Sequence, residues 1–253
     1  MIQQYGLIGF PLSHSFSPEY FNQKFADNNI AAQYKSYPID DISLLPDLLQ
    51  QTPELAGLNV TIPYKTSVIT YLDFISQEAQ QIGAVNCIKL IDDKLWGFNT
   101  DHYGFSQSLK PLLSKEIIRA LVLGTGGSAQ AILYALKQMN IPYKIVSHSR
   151  KGDYNYSDLN EKIIQEHQLI INTTPLGMYP DTDKYPPIPY EYLSTAHLLL
   201  DLIYNPELTT FLKRGAAKGA RIKNGLEMLH LQAEKSWEIW NDDQNITHFI
   251  VLK

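Results

Sequence analysis

The chain has 253 residues, 44% of them hydrophobic, enough to bury one large core or two modest ones. A formal charge of -5 with no long basic stretch argues against a general nucleic-acid binder, because nothing there would neutralise a phosphate backbone. Cys87 is the single cysteine, which excludes a disulfide framework and a thiolate metal cluster, and no apolar run approaches the roughly 18 residues of a membrane span. The expectation is a cytoplasmic protein, monomer or homodimer, whose partner is a small molecule, with no nucleic acid, membrane or metal involved.

Short strand and helix patterns alternate over the first hundred residues. Strands are predicted at Gln4 to Gly9, Gln33 to Pro38 and Gly57 to Ile62, with helices at Ser17 to Asn28 and Ser43 to Gln51 between them. Helices at Lys65 to Asp73 and Ser76 to Ile82 follow. Val85 to Ile91 and Lys94 to Phe98 then form a hairpin about Asp92-Asp93, so the sheet is expected to be mixed. A helix from Tyr103 to Leu113, apolar at Phe105, Leu109, Leu112 and Leu113, is expected to bridge two domains, and Asp101 ahead of it is a possible N-cap.

An apolar strand then runs into Gly124-Thr125-Gly126-Gly127-Ser128-Ala129, followed by a helix pattern, Gln130 to Met139, and another strand, Tyr143 to Ser147. This arrangement suits a dinucleotide pyrophosphate: Gly124 permits the tight turn, Gly126 the approach of backbone to phosphate, and Ala129 the closure of helix onto strand. The amides that open the helix face the anion. Further buried strands are predicted at Leu169 to Asn172 and His197 to Leu202, separated by a proline-rich loop, Tyr179 to Tyr190. A long helix, Leu226 to Trp240, precedes an apolar end, Thr247 to Leu252. The fold class is α/β in two domains: a mixed substrate domain over 1–101, a Rossmann-like nucleotide domain over 102–225, and C-terminal helices over 226–253 returning to the first.

Three motifs bring polar groups to the ends of apolar segments, where ligands sit in open α/β sheets. They are Ser13-His14-Ser15-Phe16-Ser17-Pro18, Asn59-Val60-Thr61-Ile62-Pro63-Tyr64-Lys65, and the pair Gly83-Ala84-Val85-Asn86 and Asn99-Thr100-Asp101-x-x-Gly104. In this order, with the glycine loop, Asn172 to Met178, Asp201 to Pro206 and Asn224 to Ala233, they resemble the shikimate dehydrogenase family nearly end to end. The resemblance implies reversible NADPH-dependent reduction of 3-dehydroshikimate to shikimate, with a quinate or aminoshikimate dehydrogenase as the alternative. A non-catalytic nucleotide-sensing protein is the alternative of another class, and the presence of both Lys65 and Asp101 speaks against it.

Hydride transfer to a ketone must be matched by a proton at the same oxygen, so a positioned acid/base is required. Lys65 supplies one: its ammonium stabilises the developing alkoxide and donates the proton. Asp101 is its natural partner, orienting the lysine and accepting a hydrogen bond from a substrate hydroxyl. The family's catalytic pair matches these two positions. By resemblance, Ser15 and Ser17 hold the substrate carboxylate, Tyr204 lies near it, and Thr61, Asn86, Asp101 and Gln232 read the ring oxygens. Both serines of the Ser-x-Ser pattern are present, which implies a preference for shikimate over quinate.

The nucleotide is read from the end of the second strand, Ser147-His148-Ser149-Arg150-Lys151, where no acid stands to hold a free ribose hydroxyl. A basic turn suits a 2′-phosphate, so NADP is expected, with His148 where the family commonly places arginine and Arg150 reaching the phosphate from two residues on. By resemblance Thr173, Thr174, Met178, Gly225 and Met228 border the nicotinamide, the methionines contributing shape alone.

Overall fold

The computed structural model describes residues 2–12, 15–114, 117, 119–149, 152–242 and 249–252. The chain divides into two units, the first made of Met1–Thr100 and Ala233–Lys253, the second of Asp101–Gln232. The residues from Leu226 to Gln232, grouped by sequence with the returning segment, here go with the second unit.

In the first unit the elements are β1 (Gln3–Gly9), α1 (Phe16–Asp27), β2 (Ala32–Pro38), α2 (Leu45–Gln51), β3 (Leu55–Val60), β4 (Phe74–Ser76), α3 (Gln77–Ile82), β5 (Cys87–Ile91) and β6 (Lys94–Phe98). Strands β2, β1 and β3 are parallel, and β5 runs antiparallel to both β3 and β6. The expected mixed sheet is therefore present. Asp92 and Asp93 both hold positive φ (49° and 58°), the conformation of a two-residue type I′ hairpin, and Ile91 pairs with Lys94 across it.

Side-chain alternation along these strands separates two cores. Ile8, Leu58, Val60 and Ile88 face one cluster with Leu72, Ile75 and Val85, whereas Tyr5, Leu7 and Cys87 face another with Phe21, Phe25, Tyr34, Ala233 and Trp240. Burial raises the Cys87 thiol to about 12, so it packs as a small inert apolar group.

The second unit comprises α4 (Asp101–Leu109), β7 (Ala120–Leu123), α5 (Gly127–Gln138), β8 (Tyr143–Val146), α6 (Glu161–Glu166), β9 (Leu169–Asn172), β10 (Leu198–Asp201), α7 (Thr210–Ala216), β11 (Arg221–Lys223) and α8 (Leu226–Asn241), the last continuing into the first unit from Ala233. Its sheet has the order β11-β10-β9-β7-β8 and every pair is parallel. Ala120, Val122, Leu169, Ile171, Leu198 and Leu200 pack on one face, and Leu121, Leu123, Ile170 and Leu199 on the other, so the central strands are buried on both sides. This is the doubly wound Rossmann-like arrangement.

Three elements depart from the sequence reading. Lys65 to Asp73 holds a short 3-10 helix, Ser67–Tyr71, in place of a full helix; Val68 is buried in the core and Ile69 and Tyr71 pack against it. The helix expected at Tyr103 starts two residues earlier, so Asp101 belongs to its first turn, and Pro111 lies in a 3-10 turn that ends it. The 226–253 segment is not helical throughout: β12 (Phe249–Val251), apolar and ending in two β-branched residues, pairs antiparallel with β4.

Candidate active site

In the first unit, main-chain bonds hold the turn that carries Thr61 and Lys65. The Thr61 amide donates to the Ile8 carbonyl at 2.9 Å, Tyr64 closes the turn by donating to Thr61 at 2.9 Å, and the Lys65 carbonyl accepts from Val85 at 2.7 Å. Tyr64 is buried, with its hydroxyl donating to the Ile39 carbonyl at 2.7 Å. Lys65 itself is half-buried at the end of this anchored turn.

Ser15, Ser17 and Asn86 belong to the same unit. Ser15 occupies the N-cap of α1, yet its hydroxyl makes no capping bond and donates to the Leu12 carbonyl at 3.2 Å. Ser17 lies inside the first turn and is buried. Asn86 is buried at the start of the hairpin. Its Oδ1 accepts from the Thr100 amide at 2.6 Å, and its Nδ2 donates to the Thr100 hydroxyl at 3.0 Å.

Asp101, Tyr204 and Gln232 belong to the second unit. Asp101 is the first residue of α4 and is buried; Gln232 is buried on α8, its Nε2 donating to the Leu229 carbonyl at 2.9 Å. The two helices pass closely at Gly104, where an added Cβ would lie 2.6 Å from the Met228 carbonyl and 3.0 Å from the Gln232 amide. That crossing brings the start of α4 beside the Gln232 turn. Tyr204 follows β10 and is half-buried.

The glycine loop sits at the carboxyl end of β7, where the strand order reverses direction, the usual ligand position in such sheets. Gly124 has φ +115°, and a side chain there would press on the Thr173 hydroxyl at 2.6 Å. Gly126 is the N-cap of the twelve-residue α5, with no side-chain capping bond, and a Cβ built on it meets nothing within 4 Å. Backbone amides therefore face open space that a side chain would fill, which fits a pyrophosphate group. Ala129 is fully buried, while Thr125 lies in the turn and Gly127 and Ser128 are the first two residues of α5.

The neighbouring strand ends are level with this loop, since Leu123 pairs with Val146 on one side and Asn172 on the other. After β8 the chain turns through Ser147, whose hydroxyl accepts from the Ser149 amide at 3.1 Å. His148 is exposed and lies over the Tyr156 ring with centroids 4.6 Å apart. Arg150 lies outside the described residues. The nearest acid, Asp153, is engaged elsewhere: it accepts from Lys144 at 2.7 Å and from the Ile145 amide at 2.8 Å. Partial burial opposes ionisation, but these two donors hold its carboxyl below its ordinary range. An acid so committed leaves the turn without a partner for a ribose 2′-hydroxyl.

Under the third strand end lies a buried polar network. Asn172 accepts at Oδ1 from the Thr174 amide at 3.0 Å and the Thr174 hydroxyl at 2.6 Å, and donates from Nδ2 to Asp201 at 3.0 Å. Asp201 also accepts from Thr209 at 2.6 Å and from the Ile203 amide at 3.1 Å. Desolvation outweighs these donors and raises its carboxyl to about 6. Thr173 donates to the Leu123 carbonyl at 2.7 Å, tying the loop to the glycine turn. Met178 is exposed at the loop's far end, Gly225 is buried with its amide donating to Ile203 at 3.0 Å, and Met228 belongs to the hydrophobic core.

Sequence reading gave no part to Asn59, Thr100, Ser236, Asn172 or Asp201, although four of these stand inside the quoted motifs. The missing signal is pairing over long sequence separations, such as Asn59 with Ser236. Among the described residues, no group of three or more His, Cys, Asp or Glu side chains could hold a metal ion, and no helix is long and apolar enough to cross a membrane.

Comparison with known proteins gives a consistent match. Residues 7–88 fit the family model for the shikimate dehydrogenase substrate binding domain. The chain is 44% identical over 254 residues to shikimate dehydrogenase (NADP(+)) of Clostridium beijerinckii, covering 95% of this chain and 92% of that protein. Among solved structures, shikimate dehydrogenase 1 from Peptoclostridium difficile is similar with a TM-score of 0.82 and 36% identity, covering 94% of this chain and 91% of that one. Shikimate 5-dehydrogenase from Thermus thermophilus, in complex with NADP(H) and shikimate, is similar with a TM-score of 0.84 and 28% identity, over 94% and 93% of the two chains.

Proposed function

Because the chain belongs to the shikimate dehydrogenase family, we propose that it catalyses the reversible NADPH-dependent reduction of 3-dehydroshikimate to shikimate, in the cytoplasm, as a step of aromatic amino-acid biosynthesis. The observation that carries this reading is the extent of the match, which spans both units and so joins the nucleotide loop and the Lys65 turn in one enzyme.

The first unit is the substrate-binding one in this reading. Ser15 and Ser17 hold the carboxylate, Thr61 and Asn86 read ring oxygens, and Lys65 gives the proton that the carbonyl oxygen needs on reduction. In oxidation the same nitrogen, as the amine, takes the hydroxyl proton back. Asp101 serves as the carboxylate of the acid/base pair and accepts from a substrate hydroxyl, and Gln232 and Tyr204 are further polar groups of the substrate set. The main-chain anchoring of residues 61 to 65 supports the role of Lys65, because a proton donor must be held in place to act.

In the second unit, Gly124 to Ala129 cradle the pyrophosphate. His148, Ser149 and Arg150 receive the adenosine 2′-phosphate, and Thr173, Thr174, Met178, Gly225 and Met228 border the nicotinamide. NADPH, when bound, supplies the hydride. The uncapped start of α5 supports the pyrophosphate assignment, and the commitment of Asp153 to Lys144 supports a nucleotide that carries the 2′-phosphate.

Replacing Lys65→Ala is the direct test. Turnover of shikimate with NADP falls by about 10²- to 10⁴-fold if the lysine is the acid/base, while NADPH binding, followed by its fluorescence, stays as in the unaltered protein. Unchanged turnover would remove Lys65 from the mechanism.

A further inference from the structure

Behind the substrate-side residues of the first unit runs a continuous buried chain of hydrogen bonds. Tyr34, fully buried, donates from its hydroxyl to Asn59 Oδ1 at 2.8 Å. Asn59 Nδ2 donates both to the Asn86 carbonyl at 3.2 Å and to Ser236 Oγ at 2.9 Å. Ser236 lies 3.2 Å from the Thr100 hydroxyl, which in turn meets the Asn86 side chain. Tyr34, Asn59, Thr100 and Ser236 are all buried.

Two members of this chain have fixed polarity. A backbone N–H can only donate and a backbone carbonyl can only accept. The Thr100 amide thus requires Oδ1 of Asn86 toward it, and the Asn86 carbonyl requires Nδ2 of Asn59. Neither carboxamide can rotate by half a turn without placing donor against donor or acceptor against acceptor in a buried setting. With Asn59 so fixed, its Oδ1 takes the Tyr34 proton. The chain ends on Asn86, the residue assigned above to a substrate ring oxygen.

We infer that Tyr34, Asn59, Ser236 and Thr100 form a positioning relay that fixes Asn86 as a hydrogen-bond donor to a substrate ring oxygen. These four act through Asn86, holding its polarity and its place. The inference rests on the substrate assignment proposed above. It adds the chemical sense of one contact: the oxygen that Asn86 reads is met as an acceptor.

Two variants test it, Ser236→Ala and Tyr34→Phe, the second keeping nearly the whole side-chain volume should the first fold poorly. Steady-state kinetics with shikimate and NADP are compared with NADPH binding measured separately. The relay predicts a shikimate KM raised by about fivefold in each variant, the equivalent of one buried hydrogen bond, with kcat and NADPH affinity within about twofold of the parent. Shikimate KM unchanged in both variants would overturn it, as would NADPH affinity falling in parallel, since a general loosening moves both. If the parent protein fails to turn over shikimate at all, the functional assignment falls and the relay's purpose with it. That outcome is distinct from an active parent with indifferent variants.

Discussion

Each unit buries a polar network behind its ligand-facing loops, but the two networks have hubs of different kinds. Asn59 is neutral, and its amide is turned one way by a carbonyl that can only accept. Asp201 is a carboxylate held by three donors, yet burial raises it to about 6. The neutral hub sets geometry whatever the pH. The charged hub makes the loop after β9 subject to titration, because its three donors do not fully offset the loss of water.

The largest effect that would break this contrast is Asn59→Leu. Tyr34, Ser236 and the Asn86 carbonyl each lose a partner, the last two keeping Thr100 and the Val60 amide, so at about 1–3 kcal/mol for the orphaned phenol and about 1 kcal/mol for each of the other two bonds the loss of stability reaches about 3–5 kcal/mol. All three tryptophans, Trp96, Trp237 and Trp240, lie in the first unit, so tryptophan fluorescence during urea unfolding follows that unit. The loss is expected to be the same at pH 5 and pH 7.

Asp201→Asn comes next and should behave differently. The carboxyl is raised from an ordinary 3.8 to about 6 in the folded protein, so the native state binds the proton more tightly than the unfolded chain. Its contribution to stability is greatest below pH 4 and is lost as pH rises through 6. Two pKa units at about 1.4 kcal/mol each put the difference near 3 kcal/mol. Hydrogen exchange of the β9 and β10 amides should show that slope in the parent and a flatter one in the variant; equal slopes would contradict the account.

Thr209→Val removes one donor to the carboxylate, costing about 2 kcal/mol at neutral pH as a hydrogen bond to a charged group, and should move the Asp201 midpoint higher still in the same exchange profile. His148→Asn is the smallest. It should leave stability unchanged, the side chain being exposed, and weaken NADP affinity, measured by nucleotide fluorescence titration, because it removes the imidazole that lies over Tyr156.

What could be read in the sequence follows from range. The glycine loop, the Asp92-Asp93 hairpin and the buried strands of the second unit are local patterns, and each stands where the pattern put it. The three-residue β4 and the short helices α6 and α7 carry too few residues to show a period, and the apolar residues of Lys65 to Asp73 reach the core from a 3-10 turn. Within the candidate site, Asn86 and Thr61 were legible as members of motifs, but their supports were not. Asn59 and Ser236 meet across 177 positions, and no local pattern announces such a bond. The basic turn after β8 was legible as composition, whereas the commitment of Asp153 to Lys144 required coordinates.

The divided first unit has a consequence for synthesis. Its aromatic core needs Trp240, which stacks on Tyr5 at 4.8 Å and donates to the Ile88 carbonyl at 2.9 Å, and its edge needs Phe249–Val251. Those residues leave the ribosome after the whole of the second unit. That unit is complete once Gln232 has emerged, while the preceding segment waits, with its sheet edge and aromatic wall uncovered, until Trp240 and Phe249–Val251 have followed. The order of folding is thus the reverse of the order of appearance, and the nascent amino-terminal hundred residues are the stretch that chaperones would be needed to shield.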